Sequence, residues 1–379
     1  MNPLVLALAY LRFHWGRSLV LVLAAALVLF VPVATRALLD AAERELTARA
    51  EATPLLLGRR GSALDLAMAA LHFAEPQPGA LPMDAVEAIR ESGLATPIPL
   101  HTGFETGGRR IVGTTLDYFD FRGLEVAEGR GLALLGEAVL GAGAARALGL
   151  GPGDALVSAP ATLFDLGGAY PLEMPVVGVL APTGTPDDAA VFVDLKTAWI
   201  IAGIGHGHDD TATDGGPAIE TARRITPETL DSFHFHGDPG TFPVTAAIVV
   251  PRDARAATIL QGRYLDPGTP AQLVRPAEVM QALVDRLFRI RALRDAVAAL
   301  GALAALAALG LALFLSYRLR AGEVTTAVRL GAGRGAVARL VATEAALIVA
   351  AASALAGLAA ATLLRRAEPL AGWLLTLGT

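Results

Sequence analysis

Two long apolar runs in the carboxyl-terminal part of the chain, Ala296 to Tyr317 and Val341 to Leu364, enclose a short stretch that carries Arg318, Arg320, Arg329, Arg334 and Arg339 against a single acid, Glu323. Each run matches the ~20 residues that an α-helix needs to cross the hydrocarbon core of a bilayer. A third run, Ser18 to Ala34, lies near the amino end and follows Arg12 and Arg17. Short segments rich in arginine stay on the cytoplasmic side of a membrane. The two arginine clusters therefore agree on one topology, with the amino terminus and the Arg318 to Arg339 loop inside and the carboxyl terminus outside.

The expected fold is a membrane protein with three transmembrane α-helices plus a large α+β extracytoplasmic domain. Its segments are a cytoplasmic or interfacial amino-terminal segment (1–17), a first transmembrane helix (18–39), an outer α+β domain with a helical stalk (40–295), a second transmembrane helix (296–317), a cytoplasmic loop (318–340), a third helix (341–364) and an outer tail (365–379). The first run resembles a secretory leader in its short apolar core and the small residues after it. A transmembrane helix is favoured because another apolar segment, Pro3 to Leu11, precedes it and the helical pattern continues beyond it without a break.

Composition bounds the chemistry. Of 379 residues, 54% are hydrophobic and mean hydropathy is +0.51, yet the region between the first two runs holds most of the acid and nearly all of the histidine. That region is large enough for its own core. The chain has no cysteine, which removes disulfides and thiolate metal sites. Lys196 is the sole lysine among 31 lysine and arginine residues, and it stands in Val193-Asp194-Leu195-Lys196-Thr197 with no glycine before it. A phosphate-binding loop of the Gly-x-x-x-x-Gly-Lys-Ser/Thr kind needs that glycine and lysine together, so the chain is not expected to bind ATP itself or to be an enzyme.

Beyond the first run, Thr35 to Ala52 keeps helical character, with Asp40 and Arg44, and Glu45 and Arg49, at i,i+4 spacing, and Pro54 ends it. Pro276 can open a helix on which Val279, Leu283, Leu287 and Ile290 form an apolar stripe toward the second run. These two extensions are expected to form the stalk; ordinary amphipathic surface helices are the alternative. Within the domain, β-prone runs such as Pro175 to Leu180, Ala190 to Val193 and Ala246 to Val250 alternate with helical stretches at Met83 to Ser92, Glu137 to Leu148 and Arg252 to Leu260. Turn signals at Gly149 to Asp154 and Pro182 to Asp188 separate them.

The sequence from Arg320 through Glu323, Leu330-Gly331-Ala332 and Glu344-Ala345 is similar in order and spacing to the cytoplasmic and third-helix signature of FtsX-like permeases of the MacB type. Ile111-Val112-Gly113, Leu134-Leu135-Gly136-Glu137, Leu148 to Asp154 and Val176 to Val179 resemble, more loosely, the periplasmic core of that family. The resemblance implies the transmembrane subunit of an ABC transporter in a bacterial inner membrane, with its large domain in the periplasm. It also implies a separate ABC ATPase subunit that binds ATP, a second permease copy (identical or paired), and a periplasmic partner protein; no nucleic-acid partner is expected. Family members carry four transmembrane helices, whereas here Arg365 and Arg366 end the third and Pro369 to Gly378 is too short to cross.

On this resemblance, Arg320, Glu323, Arg329, Gly331 and Arg334 are the residues expected to couple the loop to the ATPase, with short helices at Val324 to Leu330 and Gly335 to Leu340 around a glycine turn. The competing reading is that the arginines only hold the loop to anionic lipid headgroups. Glu344 is an acid inside an apolar run, where it is costly unless paired or turned into a bundle; it is expected to cap the turn that begins the third helix, pairing with Arg339 or Arg320. Two alternatives of function stay open: a non-transporting subunit that relays ATPase motion to a periplasmic partner, and a zinc-related component centred on the histidines of the outer domain. His206, His208, His234 and His236 fall in two His-x-His pairs beside Asp209 and Asp238, donors of the type Zn²⁺ accepts. Phe233 and Phe235 offer the bland alternative, that they merely anchor a loop.

Topology is checked with single cysteines placed by Gly333→Cys and Gly378→Cys in this cysteine-free chain: a membrane-impermeant thiol reagent should leave the first protected and label the second in cells with a permeabilised outer membrane. Protection of the second contradicts three crossings. Convergence of the four histidines predicts one Zn²⁺ per outer domain, held at about 2.0 to 2.1 Å and weakening as pH falls through roughly 6.5, since only neutral imidazole is a ligand. Calorimetric titration decides it: binding weaker than about 0.1 mM, or unaffected by His234→Ala with His236→Ala, removes the zinc reading.

Overall fold

The computed structural model describes residues 2–75, 78–159, 171–207, 223–226, 229, 233–288 and 321–365, with scattered positions between 296 and 318. The chain forms two compact units, Met1–Glu45 with Val284–Thr379, and Leu46–Leu283.

In the first unit, α1 (Pro3–Phe13) opens with Pro3, whose missing N–H costs nothing at a helix start, and with Asn2 Oδ1 accepting from the Leu4 N–H at 3.1 Å. The next helix, α2 (Trp15–Glu51), runs on past the expected first span as the helical pattern predicts. Two helical stretches among the described residues are long and apolar enough to cross a membrane, Trp15–Leu38 and Gly335–Leu364. Along them Leu19, Val20, Leu23, Leu27, Val31, Leu355 and Leu358 are exposed, the pattern of helices solvated by lipid. Where α2 meets the last helix, the contact is made of Ala25, Ala26, Ala352 and Ala356, with Val22, Leu29 and Phe30 around them. Small side chains let helix backbones approach closely where hydrocarbon gives no solvophobic drive. The expected second span, Ala296 to Tyr317, is described only in part, with 299–304 and scattered positions on either side helical; the tail beyond Arg365 lies outside the described residues.

The second unit is built on strands β1 (Leu55–Arg59), β2 (Leu81–Pro82), β3 (Ala95–Thr106), β4 (Arg109–Thr114), β5 (Val126–Gly129), β6 (Ala138–Leu140), β7 (Ala155–Val157) and β8 (Leu172–Leu180). They are followed by β9 (Val191–Asp194), β10 (Gly205–Gly207), β11 (Arg223–Arg224), β12 (Phe233–Phe235), β13 (Pro243–Val244), β14 (Ala246–Pro251) and β15 (Ala271–Val274). The main sheet has the order β11-β8-β6-β9-β4-β3-β14-β1-β15, with β5 and β7 also on β8. It is mixed: β4 pairs with β9 and β6 with β8 in parallel, while β3, β14, β1 and β15 run antiparallel to their neighbours.

Alternation along the strands shows how the core is divided. Leu56 and Ile248 enter one apolar cluster, and Leu55, Leu57, Ala247 and Val249 enter another. Likewise Phe192 joins the first cluster while Val191 and Val193 join a third. Successive side chains of a strand point to opposite faces, so the first cluster fills one face and the other two fill the reverse. On the first face lie the end of α2, α3 (Ala63–His72), α5 (Asp117–Arg122) and α9 (Pro276–Phe288), through Ala50, Leu66, Leu71, Tyr118 and Met280. The reverse face is covered by α4 (Met83–Glu91), α6 (Ala142–Leu148), α7 (Leu195–Ile201) and α8 (Ala254–Arg263), through Ile89, Ala144, Ile201 and Leu260. The expected α+β domain is thus corrected to an α/β layering, with helices on both sides of a mixed sheet. The reason is visible in the strands themselves. Leu55-Leu56-Leu57 is apolar at every position because both faces are buried.

Most local expectations are met to within a residue or two: β8, β9 and β14 overlap the three predicted strands, α4 and α8 overlap two predicted helices, and α9 begins at Pro276. Glu137 to Leu148, expected to be one helix, instead divides into β6 and α6. Val139 and Leu140 are drawn into the sheet between β8 and β9. The chain then turns at Gly141, where any Cβ would collide with the backbone carbonyl of Asp187. The expected turn at Gly149 to Asp154 has Gly149 at φ +67° and Gly153 at +101°, left-handed conformations that glycine adopts without strain.

Candidate functional site

Of the residues expected to meet an ATPase, Glu323, Arg329, Gly331 and Arg334 lie on a helix–turn–helix. Helix α10 (Ala321–Arg329) ends where the Leu330 N–H donates to Thr326 O and the Gly331 N–H to Val328 O, both at 3.0 Å, and Gly331 takes φ +98°. Only glycine accepts that conformation freely, which is what stops the helix there. Two residues later Gly333 leads into α11 (Arg334–Leu364). Arg329 and Leu330 are exposed, Leu330 at 84%. Arg320 and the side chains of Glu323 and Arg334 lie outside the described residues.

Glu344 is buried at 6% exposure. Because α11 begins at Arg334, the acid sits about three turns inside the helix and does not cap its first turn, contrary to expectation. The Arg339 guanidinium donates to Gly335 O at 3.2 Å.

The two histidine segments meet as an antiparallel pair, β10 on β12, with His206 opposite His234. The rings of His234 and His236 lie 4.6 Å apart at 72°, on the same face as their alternation predicts. Phe233 and Phe235 pack on the domain, Phe235 against Trp199 at 6.3 Å between centroids. Asp238 caps the following turn by accepting from the Gly240 N–H at 3.0 Å. Among the described residues no three histidine or acidic side chains converge on a common point; His208 and Asp209 lie outside the described residues.

A buried polar cluster went unrecognised in the sequence. Arg49, on the last turn of α2, donates to both carboxylate oxygens of Asp187 at 2.7 and 2.8 Å and to the Tyr118 hydroxyl at 2.8 Å. That hydroxyl donates in turn to Asp187 Oδ1 at 2.7 Å. Arg122 reaches the end of the same helix through Thr53 Oγ1 at 2.9 Å, and Thr53 donates to Arg49 O at 2.8 Å. The ion-paired side chains are 7% and 2% exposed. Burial opposes the charge on Arg49, but Tyr118 and Asp187 outweigh it and hold the guanidinium charged; burial likewise opposes ionisation of Asp187, and its bonds to Arg49 keep its carboxyl below the usual range. Next to them α3 ends in Phe73, at φ +55° in the left-handed region, its ring under the Arg49 guanidinium at 5.7 Å. Such a conformation costs about 1 kcal/mol outside glycine and persists because Phe73 is packed into the core against Phe192. In the sequence Arg49 shows only its i,i+4 spacing to Glu45. Its actual partner lies 138 residues away, beyond the reach of any local pattern.

Comparison with known proteins gives one family model, described as the MacB-like periplasmic core domain, matching residues 18–214. Among solved structures, the periplasmic region of MacB from Actinobacillus actinomycetemcomitans is 12% identical over 63% of this chain and 97% of that one, with a TM-score of 0.37. The extracellular domain of the noncanonic ABC-type transporter YknZ from Gram-positive bacteria is 13% identical over 58% and 98%, with a TM-score of 0.34. No curated protein matches.

Two histidines, His101 buried and His72 half-buried, set a pH dependence. Burial pushes His72 down to about 4, helped by Arg49 and Arg122, and burial pushes His101 down to about 4. His101 Nδ1 accepts from the Gly103 N–H at 3.4 Å and its ring stacks on Phe104 at 5.1 Å. Because the folded values lie below the unfolded one near 6.5, the unfolded chain binds more protons between pH 6.5 and 4. The stability these neutral rings contribute is complete above pH 6.5 and is lost as pH falls toward 4, up to roughly 3 kcal/mol for each. Thermal unfolding of the detergent-solubilised chain at pH 7.5 and 4.5 should show this loss, and His72→Gln should flatten it. An unchanged pH slope in that variant contradicts the assignment.

Proposed function

Because the chain belongs to the family of MacB-like, FtsX-like ABC transporter permeases, we propose that it is the transmembrane subunit that converts ATP hydrolysis by a separate ATPase into a change of shape in its periplasmic domain. The change exports or releases a substrate on the outer side of a bacterial inner membrane. The single observation that carries this reading is the family match over 18–214, which takes in the first membrane-length helix together with most of the outer domain. A continuous α2 supports it: one helix holds the Trp15–Leu38 stretch and carries Arg49 in its last turn.

In this reading the ATPase grips the loop at α10 and the Gly331 turn, with Arg320, Glu323, Arg329 and Arg334 as its charged contacts. The chain works as a dimer with a second permease copy and takes its place in the membrane through three crossings. Glu344 serves to pack the bundle and not to move ions. A relay to a periplasmic partner without transport would use the same parts, differing only in what the outer domain touches. Zinc at the histidines would be an addition to either reading and not a requirement of it.

Replacing Glu323 and Arg329 together by alanine should weaken ATPase retention in the detergent-solubilised complex about tenfold or more, the loss of roughly 1.4 kcal/mol of binding, while the thermal transition of the outer domain stays in place. Undiminished co-purification of the ATPase overturns the loop assignment.

A further inference from the structure

The Arg49 cluster sits where α2 ends in the outer domain, and resting on the permease reading we infer that the Arg49–Asp187 pair is the positioning link that delivers displacement of α2 into the part of the sheet carrying β6, β8 and β9. Asp187 belongs to the 3-10 turn Pro186–Ala189, which joins β8 to β9, and these two strands flank β6 in the sheet. A push or twist on Arg49 therefore acts on the connection between two strands, and not on a loose surface loop.

The turn is built to pass such a load on. Asp188 closes it by accepting from the Thr183 and Gly184 N–H groups at 2.8 and 2.9 Å and from Thr183 Oγ1 at 2.8 Å. Thr185 Oγ1 donates to Asp187 Oδ2 at 3.1 Å. Behind it, Gly141 and Gly143 bring the start of α6 against the carbonyls of Asp187 and Asp188 with no room for a Cβ, and the Gly141 N–H donates to Ala190 O at 2.9 Å. Tyr118 adds α5 to the same carboxylate.

Adhesion alone does not need this arrangement. Ala50, next to Arg49, is already in the core cluster, and a buried ion pair contributes little net stability compared with apolar side chains of the same size. What it adds is direction. Apolar contacts let a helix end slide, whereas a two-pronged guanidinium–carboxylate pair resists both translation and rotation. Removing one partner would leave a buried charge, so the informative change removes both.

The test uses the full chain with its ATPase in lipid nanodiscs. Arg146→Cys, on the exposed side of α6, supplies the only thiol of this chain, which is labelled with an environment-sensitive fluorophore before the ATPase is added. Three quantities are read in the labelled parent, in Arg49→Met with Asp187→Leu, and in Arg49→Lys: the unfolding temperature, ATP hydrolysis, and the ATP-dependent change in fluorescence. The double variant should keep its unfolding transition and its hydrolysis while the fluorescence change falls about fivefold or more; Arg49→Lys, which keeps the charge and loses the fork, should fall between. A full fluorescence change in the double variant overturns the link. So does loss of its unfolding transition, which would make the pair a structural prop, or a loss of hydrolysis as large as the loss of signal, which would put the defect at the ATPase. A parent complex with no ATP-dependent change overturns the permease reading itself, and the link with it, so the two failures are told apart by the parent alone.

Discussion

A polypeptide in hydrocarbon must satisfy its own backbone hydrogen bonds, and in this chain that requirement is met by helices long enough to continue past the lipid. Each unsatisfied N–H or C=O there costs several kcal/mol. The helix that solves the problem in the membrane has no reason to stop at its surface, and α2 runs unbroken from Trp15 to Glu51. Its composition changes along the way, from leucine and valine to alanine, glutamate and arginine, while its conformation does not. Where it ends, Arg49 is fixed by charge to a turn far along the sequence, so one element carries both the membrane solution and the anchor of the outer domain.

The outer domain depends on a different balance. Its sheet is buried on both faces, which supplies the apolar area that holds an α/β layer together, and the charged pair admitted to that interior is tied to a tyrosine. These are Arg49, Asp187 and Tyr118. Any one of them buried alone would be destabilising by several kcal/mol, and together they nearly cancel. His72 and His101 take the other route and stay neutral, at the cost of a domain that weakens in acid.

The elements legible in the sequence are those whose cause is local. Pro276 opens α9, the apolar runs of β8, β9 and β14 form strands, and glycines at 149, 153 and 331 occupy left-handed turns, because each signal is contained within a few residues. Glu137 to Leu148 misled because helix propensity there yields to two neighbouring strands and to the packing at Gly141. The layering was missed for the same reason: whether a continuous apolar run is covered on one face or two depends on helices elsewhere in the chain. Of the candidate site, the helix–turn–helix could be read from the spacing of Gly331 and Gly333, and the face-sharing of His234 and His236 from strand alternation. Arg49 could not, since its i,i+4 neighbour offered a sufficient local explanation and Asp187 is 138 residues distant.

The length of α11 bears on how its acid is tolerated. Its 31 residues span about 46 Å, against a hydrocarbon thickness of roughly 30 Å. On the proposed topology Arg334 and Arg339 hold the surplus on the cytoplasmic side, so the first ten residues or so of the helix lie below the acyl chains. Glu344 then falls at the depth of the lipid carbonyls rather than at the midplane. On that topology the buried carboxylate would stand near the boundary of the bilayer, where a charge is less costly than at its centre.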